Sequence, residues 1–207
     1  MKYVDLLIER YHSLSVCRDE IETVISSIVD MHKKGGTLLV CGNGGSAADS
    51  HHIVGELMKG FMLERELPID VKEAFRSYGA EKLGASLQGA LPAISLASET
   101  ALITAISNDC ESNTIFAQQV YGLMRKKDVL LCLSTSGNSE NVVNAAITAK
   151  VKGGKVVSIV GANGGKLAEI SDAVIKVPST VTAEIQEYTL PIYHTLCAML
   201  EAEHFAD

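Results

Sequence analysis

The chain has 207 residues, enough for one sizeable core and marginal for two, and its 47% hydrophobic and 21% charged residues are ordinary for a globular protein. A net charge of −7 with no basic stripe argues against a nucleic-acid groove. Five cysteines without a CxxC pair argue against a disulfide framework or a cysteine zinc site, and no apolar run approaches the ~20 residues of a membrane-spanning helix.

The opening residues, Met1-Lys2-Tyr3-Val4-Asp5, carry charges where a signal peptide needs an apolar stretch, so a cytoplasmic location is expected. Residues 3–34 read as two helices. Leu6, Leu7 and Tyr11 mark one stripe, and Ile21, Ile25, Ile28, Val29 and Met31 a second, until Gly35-Gly36 stops the pattern. Thr37 to Cys41 is a short apolar run ending in glycine, as a strand buried on both faces would be.

The turn Cys41-Gly42-Asn43-Gly44-Gly45-Ser46 follows, and then a helix. Glycines such as Gly44 let backbone N–H groups crowd around an anion, and Ser46 can add a hydroxyl at the helix N-terminus. Gly42-x-Gly44-x-x-Ala47 also fits a loose dinucleotide fingerprint. That fold needs a second strand about twenty residues on, whereas Leu57 to Leu63 reads as helix end and loop. The Walker pattern fails too, because no lysine follows the glycines at its place, so no nucleotide cofactor is expected. On the helix after the turn, His52 and Glu56 are four apart and share a face, while His51 points about 100° away.

Met62 to Leu91 is longer than a normal connection, mixes charges, and carries Gly79, Gly84 and Gly89. It is either a functional excursion or a solvated one, and residues 70–77 can form a short helix. Pro92 to Leu96 is the next strand, before helical patterns at roughly 99–107 and 114–125. Val129 to Leu133 runs into Ser134-Thr135-Ser136-Gly137-Asn138-Ser139 and a helix through Lys152. Lys155 to Val160 runs into Gly161-Ala162-Asn163-Gly164-Gly165 and a short helix. Ala173 to Val177 is the last strand and 182–204 the last helix. Strands alternating with helices predict βαβ crossovers and a parallel sheet covered on both faces, in one domain spanning 1–207.

The hydroxyls of Ser134, Thr135, Ser136 and Ser139, with a glycine among them at a strand end, can wrap the oxygens of a phosphate monoester without metal. Turn and capping chemistry alone would account for Gly137 and for Ser139 as an N-cap, but not for Ser134, Thr135 and Ser136 together. On the last helix, Gln186 and His194 are eight apart, roughly one face. A base and an acid are what an aldose–ketose isomerisation through an enediol needs. His52, Glu56, Gln186 and His194 could also bind Zn²⁺, although Gln is an uncommon ligand. The stretch 188–200 is apolar enough to ask for a partner surface, which points to an oligomer.

Taken in order, CGNGGSAADSHHIVGEL, Ile106-Ser107-Asn108-Asp109, STSGNS and Ala183-Glu184-Ile185-Gln186-Glu187 resemble the sugar-isomerase (SIS) domain, and within it the phosphoheptose isomerases. The resemblance runs from about residue 2 to 204. It implies an α/β fold, a three-layer αβα sandwich of flavodoxin-like type with a five-stranded parallel sheet. It also implies N-terminal helices packing in a homotetramer with interfacial active sites. The implied activity converts sedoheptulose 7-phosphate to a heptose 7-phosphate for surface polysaccharides. By motif, Ser134, Thr135, Ser136 and Ser139 would hold phosphate, aided by Asn43 and Ser46. Glu56 would be the base and His194 the acid, with Asp109 and Gln186 near the sugar; some members bind zinc through the positions matching His52, Glu56, Gln186 and His194. The chain departs from the pattern at Glu56-Leu57-Met58-Lys59-Gly60, where the family commonly has Glu-Leu-x-Gly-Arg, in the long 62–91 connection, and at Ala183, where an aspartate is frequent. SIS domains also serve as phosphosugar sensors and replication-initiator adaptors, but the nearest adaptors tend to lack the glutamate and second histidine kept here. A hexulose- or arabinose-phosphate isomerase is a third reading.

Overall fold

A computed structural model describes residues 2–206. Its architecture follows from how the apolar runs divide their side chains. Leu38 and Val40, Val129, Leu131 and Leu133, and Val157 and Ile159 face one side, while Leu39, Cys41, Leu130, Cys132, Val156 and Val160 face the other. In extended chain successive side chains alternate, so a run apolar at every position is stable only between two covering layers.

The strands are β1 (Leu38–Gly42), β2 (Ala93–Ser95), β3 (Val129–Ser134), β4 (Lys155–Gly161) and β5 (Ala173–Val177). All pairings are parallel, in the order β2-β1-β3-β4-β5. The predicted strand at 92–96 shortens to three residues with Ile94 exposed, as befits an edge. One layer holds α1 (Lys2–Arg10), α2 (Arg18–Lys33), α3 (Gly45–Met58) and α10 (Thr182–Phe205), with a 3₁₀ turn (His12–Cys17) joining the first two. The opposite layer is built from α7 (Ile115–Leu123), α8 (Glu140–Val151) and α9 (Gly165–Ile170), and α6 (Thr100–Asp109) precedes it. This is the expected three-layer αβα sandwich.

The short helix expected at 70–77 forms as α4 (Ile69–Ser77), α5 (Glu81–Ser86) follows it, and an antiparallel bridge, Glu66 to Gln88, closes the base of the 62–91 excursion. In the apolar stretch 188–200, Ile192, Tyr193, Leu196 and Leu200 are buried in the chain's own core together with Val4, Leu7 and Ile21 of the N-terminal helices, while Leu190 stays exposed. The N-terminal helices pack on α10. Among the described residues no helix is long and apolar enough to cross a membrane.

Candidate active site

In a parallel sheet ligands bind beyond the carboxyl ends of the strands, where the strand order reverses. Here β1 sits between β2 and β3, so the crevice opens between the turn after β1 and the loop after β3. These are the glycine turn and the Ser134–Ser139 loop.

The two are tied together. Asn43 and Asn141 exchange amide hydrogen bonds, Asn43 Nδ2 to Asn141 Oδ1 at 2.8 Å and Asn141 Nδ2 to Asn43 Oδ1 at 2.9 Å. Asn43 thus positions the cradle through its side chain, and its partner Asn141 carried no sequence signal of its own. Ser46 is buried in the first turn of α3, its N–H donating to Asn43 O. Gly44 needs its glycine, with φ of 55°. A Cβ on Gly45 would stand 2.6 Å from Gln186 Nε2, so the small residue lets α10 bring Gln186 onto the glycine turn.

In the second loop, Ser134 is buried and Ser136 exposed. Ser139 occupies the N-cap position of α8 but makes no side-chain cap; its hydroxyl lies 3.2 Å from that of Ser134. The capping account of Ser139 is thereby corrected, and its hydroxyl turns toward the cradle. Gly137 has φ of 65°, and a Cβ there would come within 2.0 Å of Gly164 O, so the loop is pressed onto the turn after β4. Thr135 O accepts from Gly161 N, and Asn138 Oδ1 from Lys166 N. With the N-terminus of α8 behind it, this rigid, hydroxyl-rich loop suits a dianion.

A second cluster stands where α3 meets α10. His52 Nε2 lies 3.2 Å from Glu56 Oε1 and 3.4 Å from His194 Nε2. The i,i+4 spacing brings His52 to Glu56, and α10 delivers His194 from 142 residues away. Lys59 Nζ donates to the other carboxylate oxygen of Glu56 at 3.2 Å and to Gly60 O at 2.9 Å. The departure from the family pattern at 59–60 thus puts a cation on the carboxylate. Burial pushes the His194 imidazole below its ordinary pKa, His52 adds to that, and Glu56 opposes it. His194 is accordingly neutral near pH 7, able to give one proton and take another. Asp109 stays apart: it is exposed at the end of α6 and accepts from Asn108 Nδ2 at 2.8 Å. His51 is exposed as well.

Arg65 and Glu201 were not foreseen, though they hold this cluster in place. Both side chains are 0% exposed, with Arg65 Nε 2.8 Å from Glu201 Oε1. The Glu201 carboxylate also accepts the N–H groups of Phe61, Met62 and Leu63 at 2.8, 2.8 and 3.0 Å. Burial pushes its pKa up, but the N–H groups and Arg65 outweigh burial and hold it below the ordinary range. Arg65 in turn donates to the backbone carbonyls of Leu57 and Glu56 at 2.7 and 3.0 Å, closing the C-terminus of α3. A carboxylate amid the apolar residues of α10 was the one available signal, since Lys, Glu, Arg and Asp are seldom buried unless paired.

Imidazole and carboxylate donors suit Zn²⁺ in kind. Glu56 Oε1 and His194 Nε2 lie 3.2 and 3.4 Å from His52 Nε2, close enough for one ion to be shared, although among the described residues no ready-made group of three His, Cys, Asp or Glu ligands is found. The donors face one another as hydrogen-bond partners, and Gln186 is seated at Gly45.

The SIS domain model matches residues 2–71 and 69–161. A phosphoheptose isomerase from a Nitratiruptor species is 39% identical over 184 residues, covering 89% of this chain and 86% of the relative. The solved phosphoheptose isomerase of Francisella tularensis superposes with a TM-score of 0.77 at 30% identity, covering 96% of this chain and 94% of that one. The Neisseria gonorrhoeae phosphoheptose isomerase gives 0.74 at 29% identity, covering 92% and 91%.

Proposed function

The chain belongs to the SIS-domain phosphoheptose isomerase family, and from that premise we propose that this isomerase interconverts sedoheptulose 7-phosphate and D-glycero-D-manno-heptose 7-phosphate. The observation that carries this reading is the meeting of Glu56 and His194 at His52, 3.2 and 3.4 Å away, in a chain that also carries a hydroxyl-rich loop after β3.

The cradle holds the 7-phosphate through Ser134, Thr135, Ser136 and Ser139. Glu56 removes a proton from C1 of the ketose, giving an enediol. His194 takes the O1 proton on one nitrogen and delivers a proton to O2 from the other. Glu56 then returns its proton to C2, forming the aldose with protons and electrons balanced. Lys59 keeps the outer oxygen of Glu56 engaged so that the inner one meets the substrate. Asp109, exposed on α6, lies within this proposal as a contact to the sugar chain.

No step needs a metal. Zn²⁺ enters only as an occupant around which His52, Glu56, Gln186 and His194 would have to close, polarising the substrate oxygens. Equal activity before and after exhaustive chelation would remove it. The homotetramer with interfacial sites rests on the resemblance alone, and light scattering of the purified chain checks it. The same reading puts the reaction in the cytoplasm, as a source of heptose for surface polysaccharides. The deciding test is NMR of C5–C7 ketose phosphates incubated with the protein. Conversion of sedoheptulose 7-phosphate ahead of the shorter sugars supports the assignment, while preference for a pentulose or hexulose phosphate overturns it.

A further inference from the structure

Asn138 stands between Gly137 and Ser139 in the phosphate loop, yet the grip described above gives it no task. Its side-chain Oδ1 accepts at 3.0 Å from Lys166 N, in the first turn of α9. Its Nδ2 donates to Ser136 O at 3.1 Å, and its backbone N–H donates to Ser136 Oγ at 3.1 Å. A backbone N–H only donates and a carbonyl only accepts, so these partners fix which end of the amide is which. Gly165 admits that amide: a Cβ there would stand 2.8 Å from Asn138 Nδ2 and 2.5 Å from Ser136 O.

These bonds decide which atoms the loop shows a ligand. Ser134 O accepts from Gly137 N at 3.1 Å, Thr135 O from Gly161 N at 3.0 Å and Gly137 O from Leu167 N at 3.0 Å. The carbonyl left over in this run is Ser136 O, and the Asn138 amide takes it. The Ser136 hydroxyl has one proton and two lone pairs. Because a lone pair already accepts from Asn138 N, the proton is free to point outward, and the side chain is exposed. A loop so arranged offers protons and withholds lone pairs. An ionised phosphate monoester has only acceptors to offer, so it matches. A sugar hydroxyl must also place its own proton, and matches less well.

We propose that Asn138 is a positioning residue of the phosphate loop: clipped to α9, it caps the Ser136 carbonyl and turns the Ser136 hydroxyl proton toward the ligand. The inference rests on this loop being the phosphate site, and its test separates the two claims. ³¹P NMR titration with inorganic phosphate reads the grip without any turnover. Ser136→Ala should lose about tenfold in affinity, the worth of one hydrogen bond to a charged group, and Asn138→Ala a similar factor. KM for the phosphosugar should rise in step while kcat holds. Asn138→Asp keeps the acceptor for Lys166 N, so its melting temperature should hold. It sets a carboxylate against Ser136 O, however, and should lose at least as much affinity. In Ser136→Ala/Asn138→Ala the two losses should not multiply, because Asn138 acts through that hydroxyl. Losses that multiply in full, or unchanged affinity in a folded Asn138→Ala beside a weakened Ser136→Ala, overturn the proposal. Unchanged affinity in Ser136→Ala as well would overturn the phosphate assignment beneath it.

Discussion

The two halves of the site are assembled in opposite ways. The phosphate cradle is local: Ser134 to Ser139 are consecutive, and backbone geometry at Gly137 shapes them. The proton-moving cluster is the reverse, a meeting of α3 and α10 across 142 residues of sequence, steadied by the fully buried Arg65–Glu201 pair. Grip should therefore fail through loop residues and leave chemistry, whereas chemistry should fail through helix residues and leave grip.

The sharpest way to break that division is Glu56→Gln. It keeps shape and removes the base, so kcat should fall by about 10²–10⁴, the usual worth of a positioned general base, with KM held. Initial rates on sedoheptulose 7-phosphate check it; a variant that loses affinity as much as turnover would mean that the halves are not separable. Next in size is Glu201→Leu, which leaves a buried guanidinium and three backbone N–H groups without their acceptor. Breaking a buried pair in this way costs about 3–5 kcal/mol, read by denaturant unfolding. A loss below about 1 kcal/mol, the range of an exposed ion pair, would show that this pair does not anchor the cluster.

Ser136→Ala sharpens the other half. Its hydroxyl is exposed in the cradle, and a hydrogen bond to a charged group is worth about 1.5–3 kcal/mol, so phosphosugar affinity should drop tenfold or somewhat more while kcat holds. Titration calorimetry with unchanged affinity would remove Ser136 from the grip. A further effect concerns acid. Burial lowers the His32 pKa to about 4, so the folded chain binds fewer protons there than the unfolded one between about pH 4 and the ordinary value of 6.5. Stability should rise with pH across that window and flatten above it, by at most about 3 kcal/mol from this group. Melting curves of the chain and of His32→Phe should diverge only in slope below pH 6.5; parallel curves would contradict it.

Legibility in the sequence follows the same division. The strands showed because runs such as VLLCL are apolar at every position, and the cradle showed because its hydroxyls are neighbours. His52 and Glu56 were visible through helical spacing. Their support was not, because Arg65 reads as one more charge in a mixed loop. Nothing short of the fold pairs Asn43 with Asn141, 98 positions away. Ser139 misled for a related reason: a serine before a helix usually caps it, but here the neighbouring Ser134 hydroxyl competes for it.

The central claim, that Glu56 works on carbon while His194 works on oxygen, is tested most directly by following deuterium from D₂O into sedoheptulose 7-phosphate by NMR. The account predicts uptake at C1 with the unaltered chain, none with Glu56→Gln, and continued uptake without aldose formation with His194→Gln. Deuterium appearing at C1 with Glu56→Gln at the unaltered rate would contradict it.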